Sequence, residues 1–301
     1  MAAATPTHSS PVKGAIVIAF LRMLSFLPLP LSSKITAVIA WFTYHTNSST
    51  KKVTEANLKL CYPNLSKKER DQLTRKSIKA SGKLMAETAK VWLRPAPQTL
   101  PMITDVEGEE YFHQLNNDPT TGTLMISPHL GNWELVWSYL AYNHQSSGLY
   151  RPPKIKQLEK IILEGRRTGG GQIIKTTKME VRKMLRVLNN AECLFLLPDQ
   201  QPAMGSGVFA PFYGHQAYTM TLLQGLAQRT GAKILMVTCI RTEKGFTLSF
   251  RPVDIDPTLT NEEYAEQLNL NLQQEIDKTP EQYEWAYKRF KASPEGVASR
   301  Y

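Results

Sequence analysis

His129 and Glu134 are the residues of this chain whose types and spacing most directly offer chemistry. They sit in the run Ile126-Ser127-Pro128-His129-Leu130-Gly131-Asn132-Trp133-Glu134. A neutral imidazole can take a proton from a hydroxyl, and a carboxylate within reach orients the ring and stabilises the imidazolium that forms. The preceding Thr123-Leu124-Met125-Ile126 reads as a short buried strand, and Leu135 to Leu140 as an apolar helix face. Pro128 ends the strand, Gly131 permits a tight turn and Asn132 can cap the helix. His129 is therefore expected at the carboxyl end of a strand, where open α/β sheets bind their ligands. Glu134, in the first helical turn, is expected to reach back to the imidazole. The same spacing recurs at His113 and Asp118, but there it lies in a polar segment without a strand before it, which reads as a solvated loop.

A second stretch, Leu194-Phe195-Leu196-Leu197-Pro198-Asp199-Gln200, repeats the pattern of apolar strand, proline and polar groups. Asp199 and Gln200 are thus expected beside the same cleft, with loop capping by Asp199 as an equal alternative. Arg151, after a short strand at 147–150, and Arg166, ahead of Gly169-Gly170-Gly171, are the cationic candidates. A guanidinium is a planar, permanently charged fork suited to an anion or a developing oxyanion, although plain surface placement is open for each. The triple glycine is no phosphate loop, because neither G-x-x-x-x-G-K nor a complete G-x-G-x-x-G follows a strand. No G-x-S-x-G elbow is present, and Ser127, just before Pro128, reads as structural. Attack by an activated hydroxyl, without a covalent enzyme intermediate, is the chemistry this set supports. Cys61, Cys193 and Cys239 form no C-x-x-C pair and no zinc pattern, so a reducing compartment and no metal or cofactor are expected.

These residues need a sheet to hold them, and the chain supplies alternating signals for one. Ser66-Lys67-Lys68-Glu69 is a capping-box signature opening a helix that runs to Trp92 and is stopped by Leu93-Arg94-Pro95. Helices are predicted at about 132–142, 156–167, 179–189 and from Thr219 to Arg229, and strands at 123–127, 193–197, 234–240 and 246–251. Alternation of this kind predicts an α/β fold, with a mixed, mostly parallel sheet sandwiched between helices. Tyr283 to Phe290 reads as a closing amphipathic helix. At 301 residues the chain fits one large domain, or one plus an appendage. We divide it at 1–48, a membrane-associating segment, and 49–301, a catalytic domain. The apolar stretches Ala15–Leu31 and Ile35–Tyr44 are interrupted by Arg22, Pro28, Pro30 and Lys34, so an anchor lying in or on the bilayer fits better than a spanning helix. Met1 to Ser10 lacks the positive charge of a cleaved signal peptide. A net charge of +10 favours acidic partners. Without an aromatic-interleaved basic motif or helix-turn-helix signal, an anionic membrane surface is expected rather than nucleic acid. If the apolar segment spans, the basic residues following it place the bulk of the chain on the cytoplasmic side.

The chain resembles the bacterial lipid A late acyltransferase family, a glycerolipid-acyltransferase-like group that carries H-x-x-x-x-D/E within a P-H-x-G-N-W-E sequence. Further matches are Asn57-Leu58-Lys59-Leu60-Cys61-Tyr62-Pro63-Asn64-Leu65, Tyr150-Arg151-Pro152 and Gly165-Arg166. Leu196-Leu197-Pro198-Asp199-Gln200, Gly207 to Gly214, Ala217 to Thr221, and Tyr283 to Phe290 complete the set. The resemblance implies transfer of a fatty acyl chain, lauroyl by its nearest look, from acyl carrier protein to a hydroxyl of a Kdo-bearing lipid A precursor. It implies His129 as general base with Glu134 assisting, Arg151 or Arg166 binding anionic groups or the oxyanion, and Asp199 shaping the site with Asn132 and Gln200. It also implies the cytoplasmic face of the bacterial inner membrane. Another polar lipid as acceptor, or an inactive membrane scaffold, remains open on sequence alone.

Overall fold

The computed structural model describes residues 11–116, 120–144, 146–153 and 155–301. Four helices come first: α1 (Pro11–Phe26), α2 (Leu29–His45), α3 (Ser49–Cys61) and α4 (Lys67–Leu93). A single turn, α5 (Ala96–Thr99), leads to β1 (Ile103–Glu107). Then follow α6 (Glu109–Asn116), β2 (Thr123–Ile126), α7 (Trp133–Asn143), β3 (Ser146–Tyr150), α8 (Leu158–Arg167), β4 (Gln172–Lys175) and α9 (Val181–Asn189). The chain continues through β5 (Cys193–Leu196), β6 (Gly207–Phe212), β7 (His215–Met220), α10 (Leu222–Thr230), β8 (Lys233–Arg241), β9 (Phe246–Val253) and α11 (Asn261–Lys278).

Seven strands form one sheet in the order β1-β9-β8-β2-β5-β3-β4. The five from β8 to β4 run parallel to one another, while β9 pairs antiparallel with β8 and β1 runs with β9. Every residue of β2 and β5 is buried, as expected for strands covered on both faces. Their side chains alternate between two cores. Leu124, Ile126, Leu194 and Leu196 pack toward α9, α10 and α11, whereas Met125, Cys193 and Phe195 pack toward α7 and Phe250. The predicted α/β architecture, with a mostly parallel mixed sheet between helices, is what the structure has.

Several elements differ from expectation. The helix predicted from Thr219 begins at Leu222, because Ala217 to Met220 pair with β6 in a hairpin. That hairpin turns through Tyr213 (φ 50°) and Gly214 (φ 73°), the left-handed pair that a two-residue turn between twisted strands requires. Tyr283 to Phe290 is not a helix: Tyr283 bridges Leu130, and the segment crosses the sheet edge in turns. Backbone groups used in that crossing are lost to a helical ladder. His113 lies in α6, while its spaced partner Asp118 falls outside the described residues, as does Met1 to Ser10.

The N-terminal apolar stretches form two helices of 16 and 17 residues that pack on α4. Among the described residues no helix is long and apolar enough to cross a membrane. Yet their outer faces are strongly apolar. Ile16, Phe26, Val38, Trp41 and Phe42 are each more than half exposed.

Candidate functional site

The site is assembled where β2 and β5 end side by side, with Ile126 beside Leu196 in parallel register. From there the two loops carry His129 and Asp199 toward each other. His129 Nδ1 lies 2.7 Å from Asp199 Oδ1, and the His129 backbone N–H donates to Asp199 Oδ2 at 3.0 Å. One carboxylate thus fixes both the ring and the backbone of the same residue. With Asp199 ionised, Nδ1 carries the proton and Nε2 presents its lone pair. Trp133 meets the ring edge-on, its centroid 4.9 Å away.

Glu134 does not reach back to this imidazole. Its two oxygens accept from Arg166, Oε2 from Nε at 3.0 Å and Oε1 from Nη2 at 2.6 Å. The reason lies in the turn. Gly131 adopts φ 59°, and a Cβ there would stand 2.2 Å from the Cys239 carbonyl oxygen, so only glycine fits. Asn132 then starts α7, its side chain accepting from the Leu135 N–H, and Glu134 is directed toward α8. Arg166 is brought to meet it at the end of α8. The Trp137 indole N–H donates to the Arg166 carbonyl at 2.9 Å, and Gly165 lets α8 press against the α4 backbone at Trp92.

The electrostatics follow from these partners. Burial alone would depress the His129 imidazole, but the charge and hydrogen bond of Asp199, with smaller contributions from Glu284 and Glu134, hold its pKa above the ordinary value. Asp199 is buried, which raises a carboxyl, yet His129 outweighs that and keeps it below its usual range. Glu134 behaves likewise: burial pushes it up and Arg166 brings it below the ordinary value. Glu134 and Asp199 are 3% and 1% exposed, so both carboxylates depend on their partners to remain charged.

The remaining sequence candidates fall in distinct places. Asn132 is fully buried and, besides its cap, points Nδ2 toward Glu87 at 3.4 Å, so its side chain faces the helices rather than open space. Arg151 is exposed, just past β3. Gln200 is half-buried beside Asp199. Ser127 is buried and donates to the Pro128 carbonyl.

The C-terminal crossing adds groups that the sequence reading left without a role. The Glu284 N–H donates to the His129 carbonyl at 3.0 Å, and the Gly131 N–H to the Gln282 carbonyl at 3.1 Å. Gln282 is tied to Arg241, which donates Nε to Glu87 Oε1 at 2.5 Å and Nη2 to Oε2 at 2.6 Å. The Tyr287 hydroxyl accepts from the Gln201 N–H at 2.9 Å, so the crossing grips the Asp199 loop as well. Behind Asp199 sits Arg289, 2% exposed, donating to the Tyr218 carbonyl and to Thr219 Oγ1, each at 2.8 Å. The run Tyr283 to Phe290 was the sequence signal for this clamp. Reading it as a helix concealed what it holds.

The sequence model of the family described as bacterial lipid A biosynthesis acyltransferase matches residues 5–292. The lipid A biosynthesis lauroyltransferase of Escherichia coli (strain K12) is 27% identical over 279 residues, covering 91% of this chain and 90% of that relative. The lipid A biosynthesis palmitoleoyltransferase of the same organism is 28% identical over 285 residues, with 91% and 90% covered. A lipid A biosynthesis acyltransferase of Haemophilus influenzae is 24% identical over 285 residues, with 92% and 90% covered.

Proposed function

This chain belongs to the bacterial lipid A biosynthesis acyltransferase family and is an acyltransferase of that biosynthesis, and from this premise we propose how it works and on what. The donor is a fatty acyl thioester on acyl carrier protein, and the acceptor is a hydroxyl of a Kdo-bearing lipid A precursor. His129 Nε2 removes the hydroxyl proton, and Asp199 stabilises the imidazolium. The alkoxide oxygen attacks the thioester carbon, and the tetrahedral oxyanion is met by the Arg166 donors that Glu134 does not occupy. The C–S bond then breaks, and the imidazolium returns its proton to the departing thiolate. Glu134 assists at one remove, by holding Arg166 and by adding negative field at His129. Arg151 and Gln200 contact substrate beside the cleft, and Asn132 contributes by starting the helix that carries Glu134.

The observation that carries this reading is the two-point grip of Asp199 on His129, which leaves Nε2 as the basic atom. A lauroyl chain is the expected donor, supported by the name of one relative, while palmitoleoyl in another of near-equal identity makes chain length a quantity to measure. Residues 1–48 bind the cytoplasmic face of the inner membrane, supported by the exposed apolar faces of α1 and α2 and by Lys51 and Lys52 just beyond them.

The test is acyl transfer in detergent to a tetra-acylated Kdo-bearing lipid A precursor, with carrier protein loaded with chains of several lengths. Product from wild type and none from His129→Ala is the expected result. Slow hydrolysis of the thioester without transfer would overturn the acceptor. Flotation with anionic vesicles tests the membrane face: Trp41→Ser with Phe42→Ser should release the protein, and undiminished flotation would contradict that assignment.

A further inference from the structure

We propose that the basic surface formed by the end of β4 and by α9, which packs on β5 and α10, is the docking site for the acidic carrier protein; this rests on the reading of the donor given above. Among the described residues β4 ends the sheet and pairs only with β3. In register, Tyr150 lies beside Lys175 as Ile126 lies beside Leu196. The parallel strands β2, β5, β3 and β4 therefore end along one edge, where His129, Asp199 and Arg151 follow the first three and Lys175 closes β4. Three strand steps separate the His129 strand from β4, about 14 Å. An extended phosphopantetheine arm covers that distance, so a carrier seated at β4 can deliver its thioester along the edge.

The charge is arranged for such a partner. Lys175, Arg182 and Arg186 are exposed, and none of them takes part in an ion pair among the described residues. Arg182 and Arg186 are four apart on α9 and so share a face of that helix. Met179, 89% exposed, sits between Lys175 and α9 as an apolar contact within a basic frame. A separate exposed surface, on α1 and α2, is apolar and suits lipid. The β4–α9 surface suits a folded acidic protein, whose opposite charge steers encounter and fixes orientation.

Steady-state kinetics with acyl carrier protein as donor test this on the full chain, using Lys175→Glu, Arg182→Glu and Arg186→Glu combined. The expected result is at least a tenfold rise in KM for the acylated carrier with kcat retained, a flatter dependence of kcat/KM on salt, and an unchanged Tm. A carrier bearing lysines in place of acidic surface residues should recover part of the loss. Unchanged KM for the carrier would overturn the proposal, as would a fall in kcat alone. Lost flotation with anionic vesicles at unchanged KM would overturn it too and assign the patch to the membrane. If wild type accepts the chain from acyl-CoA and not from the carrier, the donor reading itself fails, and the docking surface fails with it.

Discussion

Two buried charge pairs stand in this molecule, one on the loops after β2 and β5 and one between α7 and α8, and they differ in what they can do. His129–Asp199 joins a group that titrates near neutrality to a carboxylate, at 2.7 Å. Arg166–Glu134 joins a permanent cation to a carboxylate through two hydrogen bonds, the shorter 2.6 Å. The first pair can give up and regain a proton, so it can serve chemistry. The second cannot relieve itself by proton exchange, and it anchors α8 to α7 and presents fixed charge. Proximity in sequence does not decide which carboxylate meets the imidazole.

Substitutions separate the two roles. The largest effect is expected for His129→Ala: kcat/KM in the acyl-transfer assay should fall about 10²–10⁴-fold. Stability should change less, because the Asp199 left behind can take up a proton. Retained activity would remove His129 from the mechanism. Glu134→Ala comes next, since it strands a guanidinium that cannot become neutral. Urea unfolding should reveal a loss of about 3–5 kcal/mol together with lost activity, and an unchanged midpoint would deny the pair its anchoring role. Arg166→Lys keeps the charge but not the fork. It should cost about 1.5–3 kcal/mol, the value of one charged hydrogen bond, and a variant as stable as wild type would show that the two-pronged geometry contributes nothing.

What the sequence made legible was local. The strand, proline and turn leading into α7 follow from adjacent residues, as does the capping box of α4, which forms through Ser66 and Glu69. The Asp199 loop could be placed near the cleft because it repeats that pattern. Its role as the partner of His129 could not be read, because it depends on β2 and β5 becoming neighbours across 70 residues of chain. Glu134 was the obvious partner by spacing, but the chain turns at Gly131 with positive φ and Arg166 takes both carboxylate oxygens. A signal for α11 was present and passed over: Thr260 and Glu263 form a capping box. The C-terminal crossing was misread for the opposite reason. Its aromatic spacing looks helical, but its backbone is committed to His129 and Gly131.

The central claim is that Asp199, and not Glu134, sets the proton affinity of the base, and the pH dependence of kcat/KM tests it directly. A general base works when neutral, so activity should rise with pH through the His129 pKa. Asp199 holds that value above the ordinary imidazole range of about 6.5. Asp199→Asn removes the raising charge and leaves burial to dominate, so the rising limb should move to lower pH. Glu134→Gln should lower the plateau while leaving the limb close to its wild-type position. The reverse pattern, a limb that follows Glu134→Gln and ignores Asp199→Asn, would contradict the account.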